Sequence, residues 1–522
     1  MNDYQPLSNH SCFDHGKMYS AFSNSPRTKI SVIFLVVLLV ESFVPVLTFQ
    51  LSKLRHGALP CRIYHVPRHI PLRSTYQGHG ISIRLSPARH WRRSESVYLP
   101  QRRSSLLRSS NDADSGGNKG ASVPNLTTSL VKSIVGSGVL ALPAGVAALG
   151  DQPFPTVLPL AFVMIGITGA LNAFFFELVG RVCDETGATS YKDAWDKTIG
   201  EESSQWVALT VTLKTLLSCL AFSMIIADSI SSLTGLGRLE ALLAVTALCL
   251  LPLTLKRDLS SLAPFSFVGI LGVGITIVSL VVRCLDGSYA VDGQFVNDIA
   301  NNLRPSFGVT GGPRWEGIIL PCTLATAFVA HYNAPRFYQE LREDIKDRFP
   351  VVTYASFSIS AILFCITTAA GFLTFGGHSN GFILNNYASS DPLIATSRFA
   401  LALSIIFTYP LPFVGLRDGI FDVLGPTLDP SDNRAFVVVT LALLTVVTIG
   451  AAVIQDLGLV LSVGGGTFST AVAAVFPTLM FRASHRGHED VVSSSVALGG
   501  MVASVIIGLI GVYLALQKAG VI

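Results

Sequence analysis

The chain has 522 residues and a formal net charge of +4, with 50% of its residues hydrophobic and only 13% charged, where soluble domains carry about 25%. That composition excludes an ordinary soluble core and implies a lipid bilayer as partner; the positive excess gathers in the first 120 residues, so no nucleic-acid partner is implied. The eight cysteines show no CxxC or other ligand spacing, so neither a disulfide framework nor a metal site follows from them.

Residues 1–120 read as a targeting region. A signal-like stretch covers 30–48, where the apolar run Ile30–Val40 follows Arg27 and Lys29; it has the length of a signal-peptide core and is short for a membrane span. Residues 49–120 are transit-like: from Leu51 to Gly120 thirteen Lys or Arg stand against three acids, with many serines. The pair resembles the bipartite presequences of complex plastids, in which an aromatic residue such as Phe49 opens the second part. The other reading is a basic cytosolic tail behind an N-terminal anchor, and vacuolar, other endomembrane or plasma-membrane destinations stay open.

Residues 121–516 form the membrane domain. Apolar runs of span length fall at 122–149, 155–181, 203–235, 237–255, 262–284, 315–341, 351–376, 393–416, 435–454, 456–481 and 491–516. An all-α integral membrane fold with eleven transmembrane helices is predicted. Lys and Arg are about twice as frequent in the loops on one side as on the other, which places residue 120 in the cytosol and the carboxyl end across the membrane. The sequon at Asn125 then lies on the wrong side for glycosylation. Tyr191–Gly200 is predicted to be an interfacial helix, and the polar loop Asp286–Arg314 to be solvated.

Two spans are interrupted. In the first, Asn125–Gly150, the run Gly136-Ser137-Gly138 and Pro143 break the apolar pattern; in the sixth, Pro321 and His331-Tyr332-Asn333-Ala334-Pro335 do so. Glycine lets the backbone leave the helix and proline removes an amide donor. Irregular backbone at membrane depth is tolerated only where protein or a water-filled cavity surrounds it. Broken helices at positions 1 and 6 are what a five-plus-five inverted repeat requires. No GxSxG, P-loop or HExxH motif and no deep carboxylate pair competes, so no catalytic residues and no enzyme are expected.

Four segments carry a family resemblance. Phe328–Leu341, FVAHYNAPRFYQEL, resembles the F-V-x-H-x(6)-Y-x-E-L pattern of sodium-coupled neutral amino acid transporters, with Arg336 where that branch has proline. Gly371–Gly376 is similar to GYLTFG. Thr408-Tyr409-Pro410 with Arg417 fits T-x-P-x(6)-R, and Gly465-Gly466-Thr467 with Phe476-Pro477 resembles the G-A-T and F-P of a tenth span. The chain therefore resembles the amino acid/auxin permease family, over roughly residues 121–516.

The resemblance implies a LeuT-type fold and secondary active transport of an amino acid by alternating access. A zwitterion would satisfy both breaks, its carboxylate meeting amides in the first and its ammonium meeting freed carbonyls in the sixth. The substrate-binding candidates are Ser133, Gly136, Ser137, Gly138, Val329, His331, Tyr332 and Asn333. The ion-coupling candidates are Lys132, His331 and Thr408. Lys132 takes the place of an asparagine of the sodium-coupled branch, and a lysine there is seen in proton-coupled and vacuolar members, so the coupling ion is expected to be a proton rather than sodium, with no other cofactor. A snorkelling Lys132, a back-bonded Thr408 and a packing role for His331 are the structural alternatives. A sodium-coupled neutral amino acid symporter and an amino-acid sensor with a permease fold are the alternative functions; protein partners, the amino acid itself and the direction of transport are not legible.

Overall fold

The computed structural model describes residues 120–257, 266–424, 431–485 and 491–522. The signal-like run 30–48 and the basic stretch up to residue 119 lie outside the described residues. Helices make up the described regular structure, with isolated bridges joining Ala121 to Leu341 and Ser306 to Gly376.

In chain order the helices are α1 Val123–Ile134, α2 Leu142–Leu149, α3 Leu158–Thr186, α4 Tyr191–Thr198, α5 Ser204–Thr234, α6 Arg238–Val245 and α7 Leu251–Thr254. They continue as α8 Ser266–Leu285, α9 Ile319–Phe328, α10 Ala334–Glu340, α11 Phe349–Phe375, α12 Pro392–Thr408, α13 Pro410–Leu424, α14 Asn433–Val453, α15 Leu457–Gly464, α16 Phe476–Ser484 and α17 Val491–Lys518. Local signals set their ends. Gly187 and Gly235 close α3 and α5 in the left-handed conformation, the usual helix stop because a Cβ is penalised there. Asp391, Asp432 and Asp456 cap α12, α14 and α15 by accepting backbone amides.

Among the described residues eight helical segments are long and apolar enough to cross a membrane, and the bent pair Val123–Ile134 plus Gly138–Leu149 passes the same test jointly. The residues of the fourth expected span form α6 and α7 joined by a π turn over Thr246–Leu250, which is not among the eight. The residues of the fifth form α8, whose apolar stretch Leu271–Leu285 is short of span length.

The segment Leu457–Ser484 runs through the middle of the bundle, with 94% of its most apolar stretch buried against 22% for Val491–Lys518. Missing side chains permit this. A Cβ on Gly465 would fall 1.7 Å from the carbonyl oxygen of Cys322, and one on Gly466 would fall 2.6 Å from that of Gly508. The backbones of α9 and α17 therefore close directly on this central segment, as small residues allow in lipid.

One expectation is corrected and another is refined. The helix expected at an interface exists as α4, but its aromatic face packs into protein. Trp195 is buried, donates from Nε1 to Ser203 Oγ at 2.9 Å and meets Phe476 edge-on, while Tyr191 donates to the Val472 carbonyl at 2.6 Å. A buried Trp N–H or Tyr O–H usually needs a hydrogen-bond partner, and both have one here. The loop Asp286–Arg314 is exposed over most of its length, as expected, and is pinned at a few points. Tyr289 and Phe295 are buried, and carboxylates at helix ends hold the loop. Asp391 receives Arg283 at 2.8 and 2.7 Å and the Tyr289 hydroxyl at 3.0 Å. Asp151, just past α2, accepts the amides of Val309, Thr310 and Gly311 at 2.7, 2.8 and 2.9 Å.

Candidate functional site

The first break falls slightly earlier than the glycine triplet suggests. α1 ends at Ile134, Val135 has ψ 85°, Gly136 is extended at φ −111° and ψ −163°, and a 3-10 turn over Ser137–Ala141 leads into α2. The two halves are bent by 47°. Pro143 is not the breaker: it sits in the first turn of α2, where its missing amide costs no helical hydrogen bond. The leading amides of the 3-10 turn have no preceding turn to bond.

In the sixth segment α9 stops at Phe328, Val329 is extended with ψ 111°, and a 3-10 turn over His331–Asn333 restarts the helix as α10. Pro335 again lies in a first helical turn. The last carbonyls of α9 are left without intrahelical partners. The breaks are brought together, since a Cβ on Gly138 would lie 3.5 Å from Cα of Ala327. Gly136 has nothing within 4 Å of that position and opens onto free space. At the far ends the same two segments meet again, Ala121 N donating to Glu340 O at 2.7 Å and Arg342 N to Ala121 O at 3.4 Å.

α1 has two faces. Leu126, Leu130 and Ile134 are buried at helical spacing, whereas Asn125, Thr128, Ser129 and Ser133 are exposed and Lys132 half-buried. A polar stripe leading up to Gly136 would be costly against lipid and suits a water-filled approach. Lys132 stands in the last turn of α1, beside the negative end of the half-helix. No hydrogen bond or ion pair is made by it among the described residues.

The other predicted residues divide. Tyr332 and Asn333 are half-buried at the second break, and Val329 is buried there. Ser137 contributes backbone to the 3-10 turn. His331 is fully buried beside α3 and α11: its Nε2 lies 3.0 Å from the carbonyl of Asn172, and the rings of Phe176 and Phe357 pack at 5.6 and 6.1 Å. Thr408 donates to the Ser404 carbonyl of its own helix at 2.8 Å and lies near Gly269 of α8.

One functional candidate escapes a reading based on loop charges and motifs. Lys214, in the body of α5, is 8% exposed, and its Nζ lies 3.5 Å from the Tyr332 hydroxyl and 4.6 Å from the centre of the Tyr332 ring. Its signal in the sequence is simply an ionisable residue inside an apolar run. A separate cavity of about 220 Å³ lies between α3, α9 and α17, lined by residues such as Met164, Asn172, Pro321 and Ile507. It is mostly apolar, and none of the predicted site residues lines it.

An all-helical, multi-pass membrane protein with two juxtaposed helix breaks is thus defined. Residues 119–516 match the family model described as transmembrane amino acid transporter protein, and the chain belongs to that family, whose members are transporters and not enzymes. A Danio rerio protein provisionally named sodium-coupled neutral amino acid transporter 11 is 27% identical over 78% of this chain and 89% of its own length. Amino acid transporter AVT6C of Arabidopsis thaliana is also 27% identical, over 72% of this chain and 89% of its own. Among solved structures, MhsT in complex with L-phenylalanine aligns at a TM-score of 0.46 and 13% identity, over 77% of this chain and 100% of that one.

Proposed function

We propose that this protein is a secondary active transporter that moves an amino acid by alternating access, coupled to protons rather than sodium, on an eleven-span, five-plus-five inverted-repeat scaffold. The observation that carries the reading is the contact of the two breaks at Gly138 and Ala327. In this reading the amides of one break and the carbonyls of the other hold the two ends of one zwitterion. Gly136, Ser137, Gly138, Val329, Tyr332 and Asn333 form that site in this reading, and the polar stripe ending at Ser133 is its approach. His331, packed between α3 and α11, contributes by bracing the second break.

Proton coupling is supported by Lys132. An ammonium in the last turn of α1 offers a positive charge to the carbonyls that a metal cation would otherwise use, while the Thr408 hydroxyl is engaged within its own helix. The test is uptake of labelled amino acids into proteoliposomes. Replacing sodium with choline leaves accumulation intact, and collapsing the pH gradient abolishes it. Strict sodium dependence would overturn the coupling assignment and leave amino acid transport standing. Lys132→Asn lowers gradient-driven accumulation more than it lowers the amount of folded protein. For location, we propose delivery by residues 1–120 to a plastid envelope.

A further inference from the structure

We infer that Lys214 is a specificity-determining residue, and that the amino acid carried has an anionic side chain whose carboxylate pairs with its ammonium. The inference rests on the transporter reading and adds a substrate class to it. Lys214 is the eleventh residue of α5, about 15 Å along the helix from its start, too deep for its side chain to snorkel past the helix end. The side chain is more than nine-tenths buried. Among the described residues no carboxylate lies within 4 Å of its nitrogen; its polar partner there is the Tyr332 hydroxyl at 3.5 Å, and its ammonium also faces the Tyr332 ring.

Burying an ammonium costs several kcal/mol. A ring face returns only about 0.5–2 kcal/mol, and a hydroxyl at the limit of hydrogen-bond distance adds little. The protein by itself therefore leaves this charge under-compensated. The other buried cations among the described residues are compensated from within. Arg398 has the carbonyls of Leu384, Tyr387 and Ala388, and Arg417 has the Thr254 carbonyl at 2.9 Å and the Thr440 hydroxyl; Arg283, partly buried, has Asp391 and Asp286. Lys214 differs in that its partner belongs to the second helix break, where the substrate would lie. A zwitterion's own carboxylate is matched by the amides of the first break, so the charge left for Lys214 is a second carboxylate. An uncharged side chain would leave the ammonium buried and unpaired, which discriminates against neutral amino acids.

The experiment uses the full chain in proteoliposomes with labelled L-glutamate, L-aspartate, L-glutamine and L-leucine, comparing wild type, Lys214→Met and Lys214→Arg. In wild type the acidic pair accumulates and excess glutamine competes poorly. Lys214→Met loses glutamate uptake by roughly thirtyfold or more, the scale of removing one partner of a buried charge pair, and loses its preference over glutamine. Lys214→Arg keeps the preference. Because the methionine variant could fold poorly, the melting shift produced by glutamate is measured in the arginine variant too, and a folded arginine variant that prefers glutamine overturns the inference. Wild type that carries only neutral amino acids, or a methionine variant that keeps glutamate selectivity, overturns it while leaving the transporter reading intact. Wild type that accumulates no amino acid overturns both.

Discussion

Gly138 separates packing from passage at the two breaks. A Cβ placed on it would sit 3.5 Å from Cα, 3.7 Å from Cβ and 3.9 Å from N of Ala327, all ordinary van der Waals distances, so Gly138→Ala is accommodated. Gly138→Val is different. Its γ methyls reach about 1.5 Å farther and are stiff about χ1, and the neighbour is backbone of α9 that cannot rotate away. The 3-10 turn and α9 must part, at a cost of about 1–3 kcal/mol. An ångström-scale displacement of groups that hold a substrate costs on the order of ten- to a hundredfold in rate. Gly136→Ala is the control: nothing lies within 4 Å of its Cβ position, and its extended backbone suits any residue. That variant melts as wild type and weakens uptake only by narrowing the opening. Melting curves in detergent and uptake in proteoliposomes, measured on all three variants, decide the matter. If Gly138→Val melted and transported like wild type, the two breaks would not form the substrate site.

Asp151 gives a pH signature. Burial alone would raise its carboxyl, but the amides of Thr310, Val309 and Gly311 outweigh that and hold it below the ordinary aspartate range. A depressed folded-state pKa contributes stability that is present above the unfolded pKa and lost as pH falls through the folded one. Asp151→Asn should therefore lower the melting temperature most near pH 7, by the equivalent of about 1–3 kcal/mol, with the gap to wild type closing below about pH 4; a gap equal at both pH values would rule out the carboxylate anchor. For the presequence, residues 1–120 fused to a fluorescent protein should reach a complex plastid, and Phe49→Ala should divert the reporter to the secretory route. A reporter indifferent to that change would make the segment a tail.

The sequence by itself determined the membrane class and the all-helical character, and pointed to two stretches where helices stop, because lipid leaves the backbone few options and glycine clusters mark where one is taken. It located those stops only to within a few residues. Pro143 and Pro335, which look like breakers in a string of letters, start helices instead, since proline is at home in a first turn. Motif order along the chain likewise placed the family, which is a property of spacing and needs no coordinates. What the tertiary structure decided is which side chains meet. His331 and Tyr332 are neighbours in sequence, yet one turns to Phe176 and Phe357 and the other to Lys214. Periodicity cannot assign facing across a 3-10 turn inserted between an extended residue, Val329, and the restarted helix. Lys214 and Tyr332 are 118 positions apart, and only the tertiary contact between α5 and the 3-10 turn at the second break reveals that a buried ammonium faces it.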